Sequence, residues 1–134
     1  MMPLEPAELV VRVIAAPPVS EPDSLGLSYV DLERRSGTLA TVFADRVAAL
    51  SGLCSRDRGE ILGRAMAHEI GHLLLGTARH ADRGLMRGRW TAIELLNNHP
   101  LDWGLSREEG ALMRRALALR QRRPEQPAAI VARK

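Results

Sequence analysis

The stretch Ala67-His68-Glu69-Ile70-Gly71-His72-Leu73-Leu74-Leu75 decides how the rest of the chain is read. On a helix, residues four apart lie one above the other on the same face, so the imidazoles of His68 and His72 can reach one metal ion. Glu69 directly follows the first histidine, close enough to accept a proton from a water held by that ion. Downstream come Gly76, His80 and then Gly84-Leu85-Met86.

The helix that carries this stretch is predicted to start near Asp57, where Asp57-Arg58-Gly59-Glu60 fits a capping box. Leu62, Met66, Ile70, Leu73 and Leu74 form its expected buried stripe, and Ile61, Ala65, His68 and His72 an adjacent face. The site then sits at the margin of the core, facing a cleft. Upstream, Leu9 to Ile14, Leu25 to Leu32 and Thr38 to Phe43 read as strands. Pro17-Pro18 ends the first, and Arg34-Arg35-Ser36-Gly37 is a turn between the other two. Downstream, the capping boxes Thr91 to Glu94 and Ser106 to Glu109 start a short helix and a C-terminal one. In the latter, Leu112, Met113, Ala116, Leu117 and Leu119 are expected inward, with Arg114, Arg115, Arg120, Arg122 and Arg123 in water. The order of elements predicts an α+β fold in one compact domain over residues 1–123, with the Pro- and Ala-rich residues 124–134 as a flexible tail.

Composition narrows the class. A chain of 134 residues can bury one core, and with one Phe, one Tyr and two Trp that core must be aliphatic. The net charge is +3 and the pI about 10.0, yet 18 of the 19 basic residues are arginine. Such a skew follows from a GC-rich genome, so no nucleic-acid partner is expected. No stretch has the length of a membrane span. Met1-Met2-Pro3-Leu4-Glu5-Pro6 lacks the basic and apolar regions of a signal peptide, which implies the cytoplasm if Met1 is the natural start and export if the chain is truncated. Cys54 is the only cysteine, so no internal disulfide can form, and a structural role is its plain reading.

The run from His68 to Met86 resembles the metzincin clan of zinc metallopeptidases, above all its matrixin-like and archaemetzincin-like branches. Their pattern is HExxHxxGxxH followed by a methionine in a tight turn beneath the metal. His68, Glu69 and His72 match directly, Gly76 stands for the helix-ending glycine, His80 for the third ligand and Met86 for the turn methionine. The spacing departs from the pattern: Gly76 lies four residues after His72, and His80 four after Gly76, where the family has three in each case. A glycine that takes positive φ can absorb the difference by turning the chain back sharply. The resemblance implies a zincin-like domain in which a small mixed sheet packs on the active-site helix. It also implies that Leu25 to Leu32 is an edge strand against which an extended peptide or protein substrate lies, though a simple hairpin arm is an equal reading. The implied cofactor is Zn²⁺, held by His68, His72 and His80, with Glu69 as general base in peptide hydrolysis.

Three residues compete for the third ligand. His80 follows the glycine-bearing loop; Glu94 is the position a gluzincin-type regulatory protease would use; Asp82 serves if the arc closes differently. Glu94 already has a local role in the Thr91 capping box. A zinc-bound module that binds partners without turnover is the alternative from another class. Met86 reads as the floor of the site or as plain core, Trp90 as core packing or a pocket wall, and His99 as a turn residue before Pro100.

Overall fold

The computed structural model describes residues 8–18 and 23–122. Three strands, β1 (Val10–Ile14), β2 (Gly26–Asp31) and β3 (Ser36–Phe43), form a mixed sheet in the order β1-β3-β2. β3, the last in sequence, is central: it runs parallel to β1, with Val10 opposite Leu39, and antiparallel to β2, with Ser28 opposite Ala40. β2 is therefore an edge strand among the described residues, and it is at once the arm of a hairpin with β3. Four helices follow: α1 (Ala44–Cys54), α2 (Arg58–Leu75), α3 (Ala92–Asn97) and α4 (Arg107–Arg122), with a 3-10 turn at Pro100–Asp102 before the last. None is long and apolar enough to cross a membrane. The expected tail lies outside the described residues, as does Arg123.

α2 is the axis of the molecule because it has core on two sides. On one, Ile61 and Ala65 pack with Val42, Val47, Cys54 and Leu95; on the other, Leu74 packs with Met86 and Met113. This corrects the expected stripe. Leu73 and Leu74 are buried as expected, but Ile61, Ala65, His68 and His72 are buried with them, whereas Leu62, Met66 and Ile70 are only half-buried. A helix flanked by two clusters buries the arc between them, and periodicity alone cannot say which edge of the apolar face is central. Cys54 is buried in the first cluster as a small apolar residue, in keeping with its plain reading.

α1 was not anticipated. Its N-cap is Phe43, which offers no side-chain bond, and its C-cap is Ser55 in the left-handed region rather than a glycine. It lacks the local signals that mark the other helices, and it forms because Val47 and Cys54 are buried against α2 and α3.

α4 departs from expectation in the opposite way. Of its predicted inward residues, Met113 is buried and Ala116 half-buried, but Leu112, Leu117 and Leu119 are exposed. Arg120, expected in water, is 2% exposed and bonds Ser36 Oγ at 3.0 Å and the Gly37 carbonyl. α4 lies on α2 along a narrow strip, and its last turn meets the β2–β3 hairpin, whose main-chain carbonyl draws in the guanidinium.

Candidate metal centre

The helix that presents the site is held at both ends. Asp57 accepts from the amides of Gly59 at 2.7 Å and Glu60 at 3.3 Å; Glu60 itself turns to Arg64 at 2.8 Å, so the expected box is formed on one side only. At the other end Gly76 takes φ 67 and donates its N–H to His72 O at 2.9 Å. A side chain there would also strike the Arg35 carbonyl, so glycine is needed for handedness and for closeness.

From Gly76 the chain doubles back and brings His80 beside the two helical histidines. Its ring centroid lies 5.5 Å from that of His68 and 5.0 Å from that of His72. One ligand atom from each of the three falls within 4.8 Å of the others, so the three can hold a metal ion. No other such group exists among the described residues. His80 is exposed, while His68 and His72 are buried. The four-residue step from His72 to Gly76 is spanned by the end of α2, and the four-residue step from Gly76 to His80 by the arc.

The arc closes where the Ala81 amide donates to Met86 O at 2.9 Å. Met86 is 1% exposed and lies under α2 at Gly71, where a Cβ would come within 2.5 Å of its sulfur. Gly71 costs the helix about 1 kcal/mol relative to alanine, and the space it leaves admits Met86 one residue from His72.

Main-chain carbonyls orient two of the three histidines. His68 Nδ1 lies 2.8 Å from Leu85 O, and His72 Nδ1 lies 2.8 Å from Thr77 O. A carbonyl can only accept, so each Nδ1 carries the proton and each Nε2 presents a lone pair. Those two Nε2 atoms face each other at 3.1 Å. Burial lowers the pKa of His68 to about 4 and that of His72 in the same direction, so both rings are neutral at pH 7. Two lone pairs this close repel unless a cation lies between them. Tetrahedral zinc at 2.0–2.1 Å from each ligand separates them by roughly 3.3 Å, close to what is found. The spacing of this pair suits a tetrahedral metal ion, with His80 near enough to join it.

Glu69 is buried beside them, and burial raises its pKa to about 7. The Ser28 hydroxyl lies 2.8 Å from Oε1 and 2.8 Å from the Glu69 carbonyl, so β2 touches this residue directly. Gly26, two residues earlier, lies tight against β3 and beside the same side chain: a Cβ there would come within 2.4 Å of the Thr41 carbonyl and 3.3 Å of Glu69 Cγ. Sequence reasoning missed both. The available signal was the alternation in β2, which puts the small residues Gly26 and Ser28 on the face turned to α2.

The remaining candidates are placed elsewhere. Glu94 completes the Thr91 capping box, its Oε1 accepting from Thr91 N at 3.0 Å, and pairs with Arg87. Asp82 is exposed and outside the cluster. His99 caps the 3-10 turn, accepting from Leu101 N at 3.3 Å. Trp90 takes both of its readings: it packs on the first core cluster and stands edge-on to His68 at 5.6 Å, in the wall of a cleft. That cleft, about 840 Å³, opens between the start of β2, Leu50 and Leu53 of α1, and the Arg87–Ala92 segment, with the three histidines and Glu69 in its lining. Comparison with known proteins gives no match, whether to a family, a curated protein or a solved structure.

Proposed function

We propose that this chain is a zinc-dependent peptidase of zincin type, in which Glu69 is the general base and His68, His72 and His80 hold the metal. The observation that carries the reading is the pair of facing, unprotonated Nε2 atoms with a third imidazole beside them and a carboxyl next to them in a cleft. Zinc bound there polarises a water and a substrate carbonyl. The chain supplies the rest. Ser28 engages Oε1 of Glu69, which leaves Oε2 to take the proton of the attacking water and return it to the departing amine nitrogen. In the metal-free chain burial raises Glu69 to about 7, and a dication beside it would draw it back toward the carboxylate that a base needs. The cleft gives an extended peptide access along β2, whose outer edge has unpaired main-chain groups among the described residues.

The gluzincin reading loses its ligand, because Glu94 is committed to Thr91 and Arg87. A peptide library incubated with zinc-loaded protein tests the proposal. Glu69→Gln should keep the metal and the fold and lose turnover by roughly 10²–10⁴-fold. Equal cleavage by both proteins, or none by the zinc-loaded wild type, overturns it; the second result leaves a metal-bound interaction module.

A further inference from the structure

The turn that carries Leu85 is itself held from one side chain. Arg87 is 12% exposed and spends its whole guanidinium on three separate segments. Nε donates to Gly84 O at 3.0 Å, across the turn; Nη2 donates to Asp102 O at 3.2 Å, in the 3-10 turn; Nη1 pairs with Glu94 of α3. The plane of Trp103 lies beside it, with the guanidinium carbon 5.2 Å from the ring centroid.

Both ligand-orienting contacts made by this segment sit next to that knot. On one side, the Leu85 peptide is pinned twice, its N–H to Gly104 O at 2.9 Å and its carbonyl to His68 Nδ1. On the other, Gly88 lies flat on the His80 ring: a Cβ there would come within 2.9 Å of the imidazole. The backbone from Gly84 to Gly88 therefore touches two of the three histidines, and Arg87 is the residue that fixes its path.

We infer that Arg87 is a positioning residue of the metal centre, setting the directions of the His68 and His80 nitrogens through Leu85 and Gly88 without touching the metal. The inference rests on the proposed three-histidine site. Lysine cannot replace arginine here, because one ammonium group cannot reach three acceptors that meet three different guanidinium nitrogens. Glu94 acts with Arg87 as its counter-ion, which gives the carboxylate a second use beyond the cap.

Cobalt(II), which reports ligand geometry through its visible absorption, is the probe. Wild type, Arg87→Lys and Glu94→Gln are titrated with cobalt, with Arg115→Lys on the exposed face of α4 as control. Arg87→Lys should bind cobalt about tenfold more weakly, the scale on which outer partners of ligands act. Its absorption should shift and weaken, with helix content by circular dichroism unchanged. Glu94→Gln keeps an acceptor for the cap and should give the same changes to a smaller degree. If Arg87→Lys fails to fold, Glu94→Gln decides alone. Unchanged cobalt affinity and spectrum, whatever happens to thermal stability, overturns the inference and makes Arg87 a structural residue only. Failure of the wild type to bind cobalt or zinc overturns the three-histidine reading instead.

Discussion

The site is assembled from two regions built on different principles, the face of α2 and the arc from Thr77 to Trp90. The face is local. Helical rise alone sets His68 above His72, and nothing distant is needed to bring them together. The arc has no periodic structure, and each of its useful atoms is placed by a contact across the chain: Gly76 against Arg35, Leu85 against Gly104, Arg87 against Asp102 and Glu94. The first kind of placement survives most changes elsewhere. The second is only as firm as its weakest distant partner.

That contrast can be broken by measuring metal affinity one ligand at a time. His68→Ala and His72→Ala should each abolish zinc binding at concentrations that saturate the wild type, since each leaves the facing nitrogen unmatched in a buried pocket. His80→Ala should weaken zinc sharply but less, because His80 is exposed and water can take its place. Competition with a chromogenic chelator ranks the three. A His80 variant that binds as tightly as wild type would remove the arc from the first coordination shell.

A second test sharpens the comparison within α2 itself, where neighbouring residues are pushed in opposite directions by the same burial. In the metal-free chain, His68 has its folded pKa depressed from 6.5 to about 4, so its contribution is full above pH 6.5 and is lost as the pH falls through 4. Glu69 has its folded pKa raised from 4.5 to about 7, so its contribution is full below pH 4.5 and is lost as the pH rises through 7. Between about 4.5 and 6.5 the two slopes offset. Glu69→Gln deletes the second and exposes the first, reinforced by His72, whose pKa burial lowers as well. Urea unfolding after chelation should show Glu69→Gln losing on the order of 3 kcal/mol more than wild type on acidification from pH 7 to 4. Parallel curves for the two proteins would show that the carboxyl and imidazoles are not buried as described.

The smallest effect concerns the joint between the regions. Gly76→Ala forces a side chain into left-handed backbone and against the Arg35 carbonyl. It should cost at least about 1–2 kcal/mol in thermal or urea unfolding. A neutral outcome would mean that the helix ends elsewhere.

The same division explains what could be read from the chain. The helix over Arg58–Leu75, its cap at Asp57, the three strands and the capping box at Thr91 all leave local marks, and they lie where those marks put them. The convergence of His80 on the helix was legible through Gly76 and the resemblance, although the spacing differs. What was illegible depended on distant groups. α1 has no capping bond and is held by its core contacts. Arg120 shares the helix face of Met113 and Ala116, but its charge argued for water, and its burial is explained by the Ser36 hydroxyl and the Gly37 carbonyl across the chain. Leu112 and Leu119 extend the apolar side of α4 beyond the strip that α2 covers, so their pattern promised a burial the fold does not provide. Ser28 is an ordinary strand serine until α2 is laid across it.

The two atoms that orient His68 and His72 are Leu85 O and Thr77 O, and both belong to the main chain. No substitution can delete them. The side chains of Leu85 and Thr77 act separately, since Leu85 is buried and Thr77 Oγ1 accepts from Arg79 N, so an alanine there tests packing or the turn while the carbonyl that meets the histidine stays. Such a support is vulnerable only to changes in the path of the backbone: insertions, deletions and prolines in the arc. Retention of the two carbonyl contacts through point substitution, combined with their loss on changes of length, is the mutational signature that this arrangement should leave.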